Sequence, residues 1–523
     1  MHGTTQKKTG MLKKTQAGAA QRPATQRRMR IAGWLAALLL ALTLAKMCWV
    51  VLGAPVLGYA DSWDFVRQSS CHGVWLINEQ GQRVQGEIDH VHTRLHFDGE
   101  KAKSNCTRSS DNLFSKVSTW VFEKGAVFDI RVIGLIKIVA VATMAAALLV
   151  ALGSAPLRLA AAFLLALVLG DWVHLLYFNT LYHEVSTIAG LCLALLLLAD
   201  LAQQQGRAGQ RGSGYWLLWV LVLLWLGLSK HQYMPLAAVL CALAALCLAR
   251  WRIWRPGALM LALALLIPLA YGQMNKPKGI HAVIPWVNST NTVLEAVLPA
   301  APDPQAALQT LQLPPSCMAG KGLNWYAPGM IENHPCPALK QFSRKRLLAL
   351  FAQQPATFFT PMRIGLARLS PFHAHPGIVA FEAASPDGSS AALRRQVARG
   401  SSLSTALAAW LGLNQAPWAW QALFWLAALA SPLCLGLAVL RRSSSGSARA
   451  AYMLLGLGGM VMFYSLFSSV FGDGYVEVPR HAVGFLVGLY AWLTGLLWLA
   501  VQALVRLGLG QAAGPAGGRS AVC

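Results

Sequence analysis

The sequence has little charge. Only 12% of its 523 residues are Asp, Glu, Lys or Arg, about half the share of a soluble domain. Acid is the scarcer sign: 20 Asp and Glu stand against 44 Lys and Arg. The first 30 residues hold eight basic residues and no acid. This composition excludes an ordinary soluble chain. It also argues against a nucleic-acid partner despite the net charge of +24, because the basic residues sit mainly at the ends of apolar blocks, where they set membrane orientation. A leader cleavage site is missing as well. Neither Pro55 nor the aromatic stretch after it offers an A-x-A-like site, so the first apolar block reads as an uncleaved signal anchor. No long internal repeat is seen, and the loops are unequal, which argues against a transporter built from two matched halves.

Apolar residues are abundant, at 55%. They come in blocks of about 20, long enough to cross a hydrocarbon layer roughly 30 Å thick. Ten spans are expected. Seven precede the second long loop: Ile31–Gly53, Val132–Gly153, Leu157–Phe178, Val185–Ala202, Tyr215–Leu228, Tyr233–Leu248 and Gly257–Tyr271. Three follow it: Ala419–Leu440, Ala450–Phe471 and Ala482–Val505. The expected fold is therefore an all-α integral membrane protein. Its parts are a basic cytoplasmic tail (1–30), a first span (31–53), an outer loop (54–131), a six-helix block (132–271), a second outer loop (272–418), a three-helix block (419–505) and a cytoplasmic tail (506–523). With the N-terminus inside, every inner connection carries Arg, from Arg158 through Arg207, Arg250 and Arg441 to Arg506. The first outer loop is balanced, nine basic against ten acidic. This alternation puts both long loops and all polar turns on one expected outer face; the expected location is a bacterial inner membrane, with the active face extracytoplasmic.

Four polar clusters lie on that expected face. In Gly58-Tyr-Ala-Asp-Ser-Trp-Asp64, just after the first span, Asp61 and Asp64 lie among Tyr59, Trp63 and Phe65. A partly desolvated carboxylate there suits a general base or half of a divalent metal site; it equally suits helix capping or an interfacial aromatic belt. Tyr177-Phe-Asn-Thr-Leu-Tyr-His-Glu184 joins the third and fourth spans, with Tyr182, His183 and Glu184 at an apolar helix mouth, where a charge is costly unless paired or hydrated. Upstream, Asp171 and His174 are expected on one face of the third span. Ser229-Lys-His-Gln-Tyr233 brings Lys230 and His231, suited to an anionic head group or to plain interfacial anchoring. Phe471-Gly-Asp-Gly-Tyr-Val-Glu-Val-Pro-Arg-His481 crowds Asp473, Glu477, Arg480 and His481 before the last span. A phosphate at the start of that span would gain both the guanidinium and the helix N-terminus.

In the loops, His90-Val-His-Thr-Arg-Leu-His96 alternates like one strand. It reads as a solvated strand before it reads as a metal site. The second loop looks irregular and Pro-rich, with Arg344–Thr360 expected as an amphipathic helix on the membrane surface. Four of ten cysteines fall in these loops, Cys71 with Cys106 and Cys317 with Cys336. Two per loop suits two disulfides in an oxidising compartment.

An acid after the first span, many spans and polar turns on the outer face resemble the GT-C class of polyprenyl-phosphate-sugar-dependent glycosyltransferases. The Tyr177–Glu184 and Phe471–His481 stretches resemble segments of bacterial glycan-biosynthesis hexose transferases of that class. The resemblance implies a sugar donor on a polyprenyl phosphate and a glycan, lipid or protein acceptor. A carboxylate would take the acceptor proton, with inversion at the anomeric carbon. Carried over, Asp61 matches the loop acid and Arg480 the phosphate-holding base; Asp64, Glu184, Lys230 and His481 support them. Here the acids are three apart rather than adjacent, which leaves open which is the base and whether Mg or Mn takes part. Two rivals remain. One is an O-antigen-ligase-type enzyme using a lipid-diphosphate donor, for which Arg344, Arg346, Arg363, Arg368, His373 and His375 of the second loop would serve. The other is a lipid-linked sugar flippase, which should spread polar residues through its spans.

Overall fold

The computed structural model describes residues 6–59, 61–62, 64–69, 71–84, 88–90, 92–101, 106–276, 279–369, 378–380, 406, 417–441 and 445–512. Ten apolar helices form the body: α1 Gln6–Leu52, α2 Arg131–Ala151, α3 Ala155–Leu169, α4 Glu184–Gln204, α5 Ser213–Gly227, α6 Met234–Arg250, α7 Trp254–Met274, α8 Pro417–Leu440, α9 Gly446–Asp473 and α10 Gly484–Ala512. Seven of them contain stretches long and apolar enough to cross a membrane; α3, α5 and α6 are shorter. Each expected span therefore coincides with a helix, with one correction. Leu157–Phe178 is not one helix, because α3 ends at Leu169. At 15 residues it is about 22 Å long.

The core sits on α4, whose most apolar stretch is wholly buried. An apolar helix surrounded by other helices needs no polar face. Helix α9 packs on α10, α8 and α4. Small residues make the first contact close: a Cβ on Gly458 would fall 2.6 Å from the Trp492 nitrogen and 2.7 Å from the Gly488 carbonyl oxygen. Lipid tails are as apolar as leucine, so membrane helices gain from such backbone contact rather than from hiding apolar surface.

The loops depart from an all-α chain. Strands β1 Leu57–Tyr59, β2 Asp61–Ser62, β3 Val74–Ile77, β4 Ile88–His90, β5 Arg94–Phe97, β6 Val127–Asp129 and β7 Ile378–Ala380 form three small antiparallel sheets. In the order β3-β5-β6, Leu76 opposes Leu95 and Leu95 opposes Phe128, and all three are buried. The single strand expected over His90–His96 is instead two, β4 and β5, so its three histidines do not share one strand face. The second loop is also more regular than expected. It contains helices Ile280–Thr290, Pro304–Leu311, Lys345–Gln353 and Ala356–Leu369 and a π-helical segment Asn291–Val297. The expected helix Arg344–Thr360 breaks between Gln353 and Ala356, at Pro355, which cannot donate to a helical ladder. Its second half packs on α9, with Phe358 stacked on Phe471 at 5.7 Å. Both expected cysteine pairs are joined, Cys71–Cys106 with Cα atoms 4.9 Å apart and Cys317–Cys336 at 4.5 Å.

Candidate active site

The four polar turns lie at one end of the bundle: after α1, before α4, between α5 and α6, and between α9 and α10. Where α3 stops, the chain turns inward. Asp171 caps the short helix Trp172–Leu175 by accepting from the Val173 nitrogen, and also takes the Tyr490 hydroxyl at 2.5 Å. His174 meets the Val168 carbonyl at 2.7 Å. These two, expected on one face of a span, instead close the turn that ends it. The buried residues that follow are held by side chains. Asn179 donates to the carbonyls of Val51 at 2.8 Å and Leu57 at 2.9 Å. Lys137 of α2, fully buried, donates to those of Tyr177 at 3.2 Å and Thr180 at 2.7 Å. Backbone carbonyls at this depth need such donors, because lipid offers none.

This segment delivers Tyr182, His183 and Glu184 to an ionic cluster. Arg480 is its centre: it pairs with Asp64 at 2.5 Å and Glu477 at 2.6 Å, reaches to 3.9 Å of Glu184, and lies 4.7 Å over the Tyr182 ring. Arg67 pairs with Asp64 from the other side at 3.0 Å. Lys230 donates to Glu184 at 2.9 Å and lies 3.2 Å from Nδ1 of His481, whose Nε2 is 3.2 Å from Asp473. Glu477 adopts φ +50°, uncommon for a residue with a side chain.

Burial works to raise the Asp64 pKa, but the Arg67 and Arg480 guanidinium groups prevail and hold it below the usual carboxylate value. Burial opposes the charge on Arg480, yet Glu477 and Asp64 keep it firmly protonated. Burial, and then the Lys230 ammonium, lowers the pKa of His481. A neutral imidazole that accepts from Lys230 at Nδ1 carries its proton on Nε2 and donates it to Asp473. Arg480, Arg67 and Lys230, not His481, are thus the cations of this cluster. Burial also pushes His183 down to about 4, and its Nε2 is buried without a hydrogen-bond partner among the described residues. The Asp61 side chain lies outside the described residues; its backbone pairs with His90 in β2. One expectation is corrected: Arg480 and His481 do not open α10 but lie in the separate short helix Val478–His481.

The second loop adds residues that the sequence reading missed. The π-helical segment Asn291–Val297 aligns Asn291 and Glu295 on the turn after α9. Asn291 donates to Asp473 at 2.8 Å, and Glu295 accepts from the Tyr475 nitrogen at 3.0 Å. Gly474 makes this fit possible: at φ +63°, a Cβ there would lie 2.5 Å from the Asn291 carbonyl oxygen. The signal was present in Asn288-Ser-Thr-Asn291 and Glu295, polar residues within an apolar run.

The profile of the YfdI N-terminal transmembrane domain matches residues 24–375, about two thirds of the chain. The chain belongs to that family. The family is related to the GT-C-like membrane glycosyltransferases. Comparison with curated proteins and with solved structures returned no match.

Among the described residues no group of three or more His, Cys, Asp or Glu is arranged to hold a metal ion. The arginines considered for a diphosphate donor are partly committed to backbone. Arg344 donates to the Gly472 carbonyl at 2.8 Å, Arg346 to Leu311 at 3.0 Å and Arg368 to Tyr475 at 3.0 Å. His373 and His375 lie outside the described residues.

Proposed function

We propose that the chain is a glycosyltransferase that moves a sugar from a polyprenyl-phosphate carrier to an extracytoplasmic glycan or glycolipid, with inversion. The observation that carries this reading is Arg480, a buried guanidinium held between Asp64, Glu477 and Glu184 at one end of an apolar bundle. These partners are acids that an incoming phosphate can replace at the guanidinium. When the donor's phosphate takes over Arg480, Asp64 loses a partner that depresses its pKa and becomes a better base. The acceptor hydroxyl then gives its proton to the carboxylate, and its oxygen attacks the anomeric carbon. The carbon–oxygen bond to phosphate breaks, and polyprenyl phosphate leaves with its charge on Arg480 and Lys230. Asp64 pairs with the phosphate-holding arginine and is the base in this reading. The positive-inside pattern puts this end of the bundle outside the cytoplasm.

The test is transfer of labelled hexose from polyprenyl phosphate by protein in vesicles. Asp64→Asn is expected to lower turnover about 10²–10⁴-fold, the range for a lost general base. Asp61→Asn is the parallel variant. Arg480→Ala should weaken donor binding along with turnover, since a phosphate contact acts in bound and transition states alike. If both aspartate variants keep near-normal activity, a carboxylate base in this loop is wrong and the diphosphate-ligase reading moves ahead.

A further inference from the structure

Beside the ionic cluster stands an aromatic group that the transfer chemistry does not use. Trp286 meets Trp325 edge-on at 4.7 Å and His334 at 4.9 Å, while Trp325 and His334 are 5.6 Å apart. The group is rigidly built. His334 contacts the Thr290 hydroxyl at 2.9 Å and accepts from the Cys336 nitrogen at 3.1 Å, next to the Cys317–Cys336 disulfide. Asn291 ties it to the cluster with both ends of one amide: its oxygen accepts from the Trp325 nitrogen at 2.7 Å, and its nitrogen donates to Asp473 at 2.8 Å. Asn324 reaches Glu295 at 3.3 Å from the same loop. The next residue out is Tyr326, whose side chain is open to solvent at 64% exposure. Partial burial of its phenol raises the pKa, and the charges of Asp473, Asp64 and Glu477 add to that rise. A large ring is thus exposed one residue from the Asn291–Asp473 link, on a loop anchored at Asn324 and Trp325.

We propose that the Trp325–Tyr326 loop is the acceptor-side wall of the site, and that Tyr326 is a specificity-determining residue that stacks on a pyranose ring of the acceptor glycan. This rests on the transferase reading for its role in catalysis, though not for binding itself. The face of an aromatic ring is electronegative, and the C–H bonds of a pyranose present the complementary positive edge. Tyrosine adds a hydroxyl for the sugar's own hydroxyls at low conformational cost. The anchors matter because a platform that is already ordered loses little entropy on binding. The wall offers an exposed aromatic face one residue from the Trp325–Asn291–Asp473 link, where a ring could hold the acceptor while its hydroxyl reaches the carboxylates.

The test uses full-length protein in phospholipid vesicles and oligosaccharides released from the cell-surface glycan of cells that make this chain. Two readouts are taken: equilibrium binding of the oligosaccharides without donor, and hexose transfer to them from polyprenyl-phosphate hexose. Tyr326→Ala is expected to weaken oligosaccharide binding and raise acceptor KM about two- to tenfold, the range for one aromatic contact. Donor KM should stay unchanged, and Tyr326→Phe, which keeps the ring, should recover most of the loss. Wild-type binding of these oligosaccharides that Tyr326→Ala leaves intact would overturn the proposal, as would a change confined to donor KM. No wild-type binding at all would overturn it too. Tyr326-dependent binding without any transfer would support the platform and sink the transferase, so the two failures are distinguishable.

Discussion

Removing the carboxylate of Glu184 should cost more than removing Glu184 and Lys230 together. Glu184 is 2% exposed and Lys230 17%, with 2.9 Å between their charged atoms. Breaking a buried pair from one side leaves an uncompensated charge and typically costs about 3–5 kcal/mol. Lys230 reaches some water, which screens it, so about 2–3 kcal/mol is the reasonable figure for Glu184→Gln. Arg480, 3.9 Å from the same carboxylate, adds to the loss but keeps Asp64 and Glu477. In the double variant Glu184→Gln, Lys230→Met both charges are gone, and the coupling should return about 1–3 kcal/mol. Thermal unfolding in detergent can be followed with a thiol-reactive dye as the rise in labelling when the buried free cysteines Cys192, Cys241 and Cys247 open, above the baseline of the half-buried Cys48 and Cys434. The single variant should melt several degrees below wild type and the double variant between them. If the double variant melts lowest, by the sum of the two single losses, the pair is uncoupled and the charge-balance account of the cluster is wrong.

Other outcomes follow from the same geometry. Reporter fusions near residues 100 and 330 should both be extracytoplasmic; either one inside the cell would break the shared-face argument. Non-reducing peptide mapping should recover Cys71 with Cys106 and Cys317 with Cys336. Reducing the first, which closes a loop over a sequence separation of 35, should cost about 3–4 kcal/mol in the chain-entropy model. His183 has its pKa lowered by burial from 6.5 to about 4. The unfolded chain therefore takes up this proton first as pH falls. The neutral imidazole costs nothing above pH 6.5, and stability is lost between 6.5 and 4, by at most about 3 kcal/mol. Melting temperatures at pH 7.5 and 5 should differ less in His183→Gln than in wild type; an equal difference would remove His183 as the cause.

Much of this protein was determined by local sequence. A block of about 20 apolar residues has few places to go but the membrane, so the helices from α1 to α10 were legible from composition, and the cysteines from their even distribution over two loops. The clusters around Asp64, Glu184, Lys230 and Arg480 were also legible, because charges beside apolar helices are costly and stand out. Their mutual contact was not. Asp64 and Arg480 are more than 400 positions apart in the chain, and only the packing of α1 and α10 on α3 brings their turns together. The break at Leu169 was hidden for the same reason: Trp172–Phe178 is apolar enough to continue a span, and what stops it is a set of tertiary hydrogen bonds from Asn179, Lys137 and Tyr490. The role of Asn291 was invisible too. A π-helical register and a glycine at positive φ decide where its amide points, and neither is written in the polarity of neighbouring residues. Local chemistry determines which segments leave water and which residues pay to be there; long-range packing decides which of those residues share a site.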